Sequence, residues 1–220
     1  MAVAGRKRPG AKAQKVQKRS PGFQGWNTTD AEEVERRRWR GLTEVTAVEA
    51  LEPEFPHFGT FLARSSGAGR YQVEIRSLTA HQNSCSCPDW RVNGLGTCKH
   101  IEGVLDRLRR KGKRAFEAAS RWGNPRLEIF PAMDGSARVL ARPPAGRADA
   151  ATALQGLCDA EGVWQGDPLQ AVEGIRRALG PLPDLVVRES RQLAARLEEE
   201  RRRRERARAR ERFLAEVAAG

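Results

Sequence analysis

The chain has no run of about 18 apolar residues, the length a membrane-crossing helix needs. Its opening Met1-Ala2-Val3-Ala4-Gly5-Arg6-Lys7-Arg8 lacks the apolar segment of a secretory leader. These two absences point to an intracellular, cytoplasmic protein with no membrane partner. Histidine is scarce, with three in 220 residues. No Gly-x-x-x-x-Gly-Lys-Ser/Thr loop is present to cradle phosphates. No nucleophile with its base, no pair of carboxylates and no open metal site can be assembled, so hydrolytic chemistry is poorly provided for.

What is abundant is positive charge. Lys plus Arg number 40 against 28 Asp plus Glu, a formal net charge of +12. Such an excess favours polyanionic partners through phosphate contacts and counterion release, without saying which polyanion. With 39% hydrophobic and 31% charged residues, the chain can bury a modest core, and order throughout is not expected. The length suits one ordinary domain or two small ones.

Residues 1–25 form a basic arm, with Arg6, Lys7, Arg8, Lys12, Lys15, Lys18 and Arg19 before any acidic residue, and disorder is expected there. It could contact phosphate, act as a targeting signal or serve as a solubilising tail. Asn27-Thr28-Thr29-Asp30 supplies cap residues for a short charged helix running to Gly41, with Trp26 and Trp39 as packing anchors. From Gly59 the apolar period changes to two. Thr60 to Arg64 and Tyr71 to Ile75, joined by Ser65-Ser66-Gly67-Ala68-Gly69, predict a β-hairpin with one apolar face. Ile101, Val104, Leu105 and Leu108 then recur at helical spacing, with Thr97 as N-cap. That helix either ends near Gly112 or continues, kinked, to Trp122.

Beyond Asn124-Pro125 a second small unit is expected over 124–190. Leu127 to Phe130 and Arg138 to Ala141 flank Asp134-Gly135 and predict a hairpin. Ala150 to Cys158 and Pro168 to Leu179 suggest short helices, and Leu185 to Arg188 a lone strand. Residues 189–220 read as a long charged helix carrying Arg201 to Arg204, Arg206, Arg208, Arg210 and Arg212, with apolar positions too sparse for a coiled coil. The fold class is therefore α+β, with the first unit spanning 26–123 and its centre at 59–110.

Three of the four cysteines fall within fourteen residues, and a histidine follows the last of them by two. In an intracellular chain this spacing argues for metal over disulfides. Cys85, Cys87, Cys98 and His100 make a four-ligand set for one structural zinc ion, with no open position for chemistry. In Cys85-x-Cys87 an extended backbone places both thiolates on one side. Pro88 turns the chain, and the loop through Asn93-Gly94-Leu95-Gly96 returns Cys98. His100 falls in the first turn of the next helix, whose dipole favours the Cys98 thiolate. The alternative, reduced core cysteines with an unrelated histidine, fits this spacing less well. His81 is a substitute ligand or a surface residue, His57 is packed beside Pro56 and Phe58, and Cys158 reads as a small buried hydrophobe.

The pattern Cys-x-Cys, ten residues, Cys-x-His, preceded by a hairpin and followed by an apolar helix, resembles the SWIM zinc finger. The resemblance covers about residues 59 to 110, roughly a quarter of the chain. It implies a compact zinc-stabilised ββα arrangement and binding to DNA or to protein partners. Among the settings of SWIM fingers, the chain is most similar to the N-terminal part of bacterial Swi/Snf-type helicase-like ATPases, with a motor expected after Gly220 and a place near the nucleoid. On the helix after the finger, Arg107, Arg109, Arg110, Lys111, Lys113 and Arg114 form either a cationic ridge for phosphates or a solvated face. Arg91 and Lys99 lie in the knuckle beside Trp90. That ring can stack on a base, although a small zinc unit needs an aromatic plug. No base-reading register is recognisable, so binding, with DNA as the expected polyanion, should be salt-sensitive and weakly selective. The alternative is a module that docks on a motor domain or another protein without touching nucleic acid.

Overall fold

The structure, a computed structural model, describes residues 28–67, 69–182 and 184–219. The basic arm at 1–25 and Trp26 lie outside the described residues.

Helix α1, Asp30–Glu44, begins at a capping box in which Thr29 and Glu32 satisfy each other's backbone N–H groups. It runs three residues past the expected end at Gly41 and feeds directly into β1, Val45–Ala50, which the sequence pattern did not reveal. Strands β2, Gly59–Ser65, and β3, Arg70–Ile75, form the expected hairpin. Phe61 stands opposite Val73 and Ala63 opposite Tyr71. The short β4, Ser84–Cys85, completes an antiparallel sheet in the order β1-β2-β3-β4. Helices α2, Pro88–Val92, and α3, Lys99–Lys111, follow, and the chain breaks at Gly112 before α4, Lys113–Trp122.

A second sheet has the order β6-β5-β7. Strands β5, Leu127–Pro131, and β6, Val139–Arg142, form the expected hairpin, whereas β7, Val187–Glu189, pairs in parallel with β5. The strand expected to be lone is therefore the third member of a sheet. Its partner lies some 60 residues earlier, a pairing that local periodicity cannot show. Helices α5, Ala148–Ala153, and α6, Ala171–Leu179, lie between β6 and β7, and α7, Arg191–Ala219, closes the described chain. No described helix is long and apolar enough to cross a membrane.

Each sheet has an apolar face covered by helices. Phe61, Ala63, Val73 and Ile75 share a core with Ile101, Val104 and Leu108 of α3. Leu127 and Ile129 share another with Ile175, Leu179 and Leu193 of α6 and α7, and half-buried Cys158 packs at its margin. The opposite faces, which alternation alone would assign to water, are buried against each other. Thr60, Glu74 and Arg76 on one side meet Glu128, Arg188 and Ser190 on the other, each less than a tenth exposed. Arg188 donates to Glu128 at 2.8 Å and to the Thr60 hydroxyl at 2.7 Å, and Arg126 donates to Glu52 at 2.5 Å. Arg76 pairs with Glu74. Helix α7 starts on this layer, because Glu74 accepts both the Ser190 hydroxyl at 2.6 Å and the Arg191 backbone N–H at 2.7 Å. A carboxylate at a helix N-terminus also interacts favourably with the positive end of the helix dipole.

Helix α1 lies across α3 at a glycine crossing. A methyl group on Gly41 would stand 2.7 Å from the Gly103 nitrogen and 2.8 Å from the Lys99 carbonyl, and one on Gly103 would stand 2.6 Å from Val45. Backbone cannot yield at such distances. Exposed helical Gly→Ala changes gain about 1 kcal/mol, but Gly41→Ala and Gly103→Ala are each expected to lose about 1–3 kcal/mol through overpacking. Urea unfolding with a midpoint at or above wild type would overturn the close crossing.

The polar layer also sets an acid limit. Burial raises the Glu52 carboxyl, but Arg126, Thr60 and Arg188 outweigh it and hold its pKa at about 2 against an ordinary 4.5. A carboxyl depressed on folding stabilises fully above its unfolded value, and that stability disappears as pH falls through the folded value. The difference in urea midpoint between wild type and Glu52→Gln should therefore stay constant from pH 7 to about 5 and close between about 4.5 and 2. A difference that persists unchanged at the acid end would show that Glu52 is not held as a carboxylate.

Candidate metal centre

The four expected ligands converge. Cys85 ends β4, Cys87 is the N-cap of α2, Cys98 is the N-cap of α3, and His100 lies in the first turn of α3. All four are buried, and one ligand atom from each lies within 4.8 Å of the others. Two thiolates and an imidazole at tetrahedral bond lengths would stand about 3.6 to 3.8 Å apart. His100 Nδ1 is 3.9 Å from Cys85 Sγ and 4.0 Å from Cys98 Sγ, so a small inward movement closes the site on an ion. Nδ1 is therefore the nitrogen that would face an ion. Nε2 is buried without a hydrogen-bond partner among the described residues. The Tyr71 ring, from the hairpin, lies 4.4 Å from the imidazole at 40°.

The local backbone shows why the sequence folds this way. Pro88 occupies the first turn of α2, where no N–H is needed. The Cys87 N–H points at Cys85 Sγ and the Trp90 N–H at Cys87 Sγ, both at 3.4 Å, so backbone donors are already aimed at the sulfurs. Asn93 organises the returning loop, accepting from Leu95 N–H at 2.8 Å and donating to the Thr97 carbonyl at 2.9 Å. Gly94 and Gly96 have φ of 67° and 66°, a left-handed conformation that other residues rarely adopt. Thr97, expected to cap α3, does not. Its hydroxyl donates to Glu102 at 2.7 Å, and Cys98 takes the cap position with no side-chain cap bond, which leaves its sulfur free for the metal.

Helix α1 braces the knuckle, a role the sequence did not announce. Arg37 grips Asp89 of α2 at 2.8 Å, and Glu44 receives Lys99 at 2.5 Å. Arg40 and Lys99 together hold the Glu44 carboxyl at about 2 despite partial burial. The electrostatics of the three thiols favour a cation. Cys87 is the thiol that ionises most readily, because Cys85 and Cys98 both donate towards it. The same contacts push Cys85 up, and burial pushes Cys98 up. Three thiolates cannot coexist here without a positive ion to neutralise them, and a dication would displace the remaining protons. His81 is exposed and absent from the cluster, and His57 packs edge-on against Phe116 at 6.5 Å.

The residues considered for nucleic-acid contact are dispersed. Arg91 is exposed on α2, whereas Lys99 is spent on Glu44. Arg107 donates to the Thr46 carbonyl at 2.7 Å, Arg109 lies over the Phe116 ring at 5.0 Å, and Arg110 pairs with Asp106 at 2.8 Å. Lys113 stands 3.8 Å from Glu117, and Lys111 and Arg114 are exposed. The ridge on α3 and α4 is thus partly neutralised by its own helix. A stronger cationic surface lies on α7. Arg201 to Arg204 are balanced by Glu198, Glu200 and Asp167, but among the described residues no carboxylate pairs with Arg206, Arg208, Arg210 or Arg212. The arginine run was visible in the sequence, whereas its separation from neutralising partners was not.

No protein-family profile, curated protein or solved structure matches the chain. What the site itself defines is a buried three-cysteine, one-histidine group able to hold a metal ion.

Purified chain is expected to carry one metal ion, and Cys98→Ser to carry almost none. Chelation should expose the region from Ser84 to His100 to protease before the unit built on β5 to β7 opens, because the metal stands in for core that the knuckle lacks. Metal content near one ion per chain in Cys98→Ser would remove Cys98 from the ligand set.

Proposed function

We propose that the chain is a zinc-binding module of the SWIM type that holds nucleic acid, most naturally duplex DNA, through its backbone and without reading sequence. The observation that carries the reading is the closed, buried set of Cys85, Cys87, Cys98 and His100. Three soft thiolates and one imidazole suit zinc, and four protein ligands leave it a structural role. The resemblance to SWIM fingers adds the expected company of a Swi/Snf-type ATPase motor, for which this chain would supply the grip on DNA.

The distal half of α7 supports the polyanion. Arg202, Arg206 and Arg210 recur at four-residue spacing, as do Arg204, Arg208 and Arg212. Like charges so placed repel each other along a helix. A polyanion laid beside them relieves that repulsion. At about 100° per residue, Arg206 and Arg210 lie on one side of the helix and Arg208 and Arg212 on the opposite side. A helix charged on two opposite sides fits a groove with a phosphate strand on either side better than a flat anionic surface, which would call for one charged face.

A second reading is favoured by one feature. Phe213, Leu214 and Val217, 63%, 53% and 63% exposed, form an apolar patch at the tip of the same helix, which would suit docking on a protein.

Binding of the zinc-loaded chain to a duplex, followed by fluorescence anisotropy across salt concentrations, tests the proposal. Replacing Arg206, Arg208, Arg210 and Arg212 with Ala should lower the slope of log K against log salt by up to about 3.6, near 0.9 for each phosphate no longer neutralised. The Arg107/Arg109/Arg110→Ala variant should change it less. If wild type binds no DNA, or both variants match it while zinc is retained, the module is a protein-docking element and the charge serves solubility.

A further inference from the structure

The polar layer between the sheets does not balance. Around it stand four arginines, Arg76, Arg126, Arg142 and Arg188, against three glutamates, Glu52, Glu74 and Glu128. The odd arginine is Arg142. It sits opposite Glu128 in the β5–β6 register, yet among the described residues no carboxylate pairs with it. Glu128 is already occupied, accepting from Arg188 and from Asn124, each at 2.8 Å. Four guanidinium nitrogens are buried without a hydrogen-bond partner: Arg76 Nε, Arg126 Nε, Arg126 Nη2 and Arg142 Nε. Arg76 Nε and Arg126 Nη2 stand 3.9 and 3.6 Å from Glu128, too far to be satisfied by it. The Arg76 and Arg126 side chains are each only 3% exposed. A buried charged donor left unpaired is costly, so a cluster of four calls for an acceptor.

The space for one is present. A cleft of about 180 Å³ opens at this edge of the layer, lined by Arg76, Arg126 and Arg142 together with Thr79, Asn124 and Glu128, whose carboxylate is already held by Arg188 and Asn124. A single water needs only about 15 Å³ by the same measure. We propose that this cleft is a binding site for a small tetrahedral oxyanion of the phosphate class, recognised by the three guanidinium groups. Arginine presents planar, paired donors that match phosphate oxygens, and one anion would cancel the surplus positive charge and satisfy the orphaned nitrogens together. The anion can arrive as free phosphate or as the terminal phosphate of an ester. The site shares no residue with the metal centre and does not rest on zinc or DNA binding.

Isothermal titration of the full chain at fixed ionic strength, chloride being exchanged for inorganic phosphate or phenyl phosphate, decides it. Wild type should bind one phosphate per chain, and Arg142→Gln should weaken binding about tenfold or more. Thr79→Glu places a carboxylate at the exposed rim of the cleft without disturbing the buried layer, and should abolish binding even if Arg142→Gln fails to fold. The Arg206/Arg208/Arg210/Arg212→Ala variant should bind like wild type. Saturable binding of phenyl phosphate as well as phosphate would mark the ligand as a phosphate terminus, and binding of phosphate alone would mark it as the free ion. No saturable binding to wild type would mean that water alone fills the cleft and would overturn the proposal. So would loss of binding in the α7 variant with none in Thr79→Glu, which would place the phosphate on the surface.

Discussion

Three buried arginines, Arg76, Arg126 and Arg188, and the glutamates Glu52, Glu74 and Glu128 that hold them between two sheets are the constraint under which the rest of the structure is arranged. Most packed sheets meet through apolar side chains, with charge kept outside. Here the apolar faces turn outward to helices and the polar faces turn inward to each other. Ions removed from water recover the cost only when every partner is in place, because one missing partner leaves its opposite number buried and uncompensated. Strand β7 must therefore dock beside β5 with Arg188 in register with Glu128, and the loop before β2 must bring Glu52 to both Arg126 and Arg188. A slipped register would strand several charges at once, so the layer contributes specificity of assembly whatever its net stability.

The metal centre is built outward from this frame. Strand β4 holds only two residues and is positioned by pairing with β3, whose Glu74 belongs to the buried layer. From β4 the chain makes two helix starts, and both are used as ligand platforms, Cys87 at one and Cys98 with His100 at the other. Helix α1 then braces the whole through the Gly41–Gly103 crossing and the pairs Arg37–Asp89 and Glu44–Lys99. The ion would therefore bind a scaffold prepared on three sides, and not a loose loop.

What the sequence revealed and what it hid divide along physical lines. Features encoded within a few residues were legible: the Cys-x-Cys and Cys-x-His spacing, both hairpins, the break at Gly112 and the long final helix. Features that depend on distant partners were not. Strand β1 escaped because Val45 to Ala50 carries too little alternation to stand out from the helix before it. Glu74, flanked by Val73 and Ile75, and Glu128, flanked by Leu127 and Ile129, look like the solvent side of half-buried strands. Only the second sheet, laid over the first, makes them interior. Thr97 has the right chemistry for a cap, and only the three-dimensional demand for the Cys98 sulfur displaces it by one residue.

Helix α7 connects these parts mechanically. Its 29 residues extend about 43 Å, with the first turns packed on the second sheet and the distal turns in solvent. Its first N–H is fastened to the Glu74 carboxylate, and Glu74 adjoins Val73, the register partner of Cys85. The arginine-bearing helix is thus anchored both in the second core, through Leu193 and Leu197, and on β3, the strand that pairs with the Cys85-bearing β4. The arm and the knuckle thus share neighbouring residues of one strand, Glu74 fastening the helix start and Val73 and Glu74 pairing with Cys85 and Ser84.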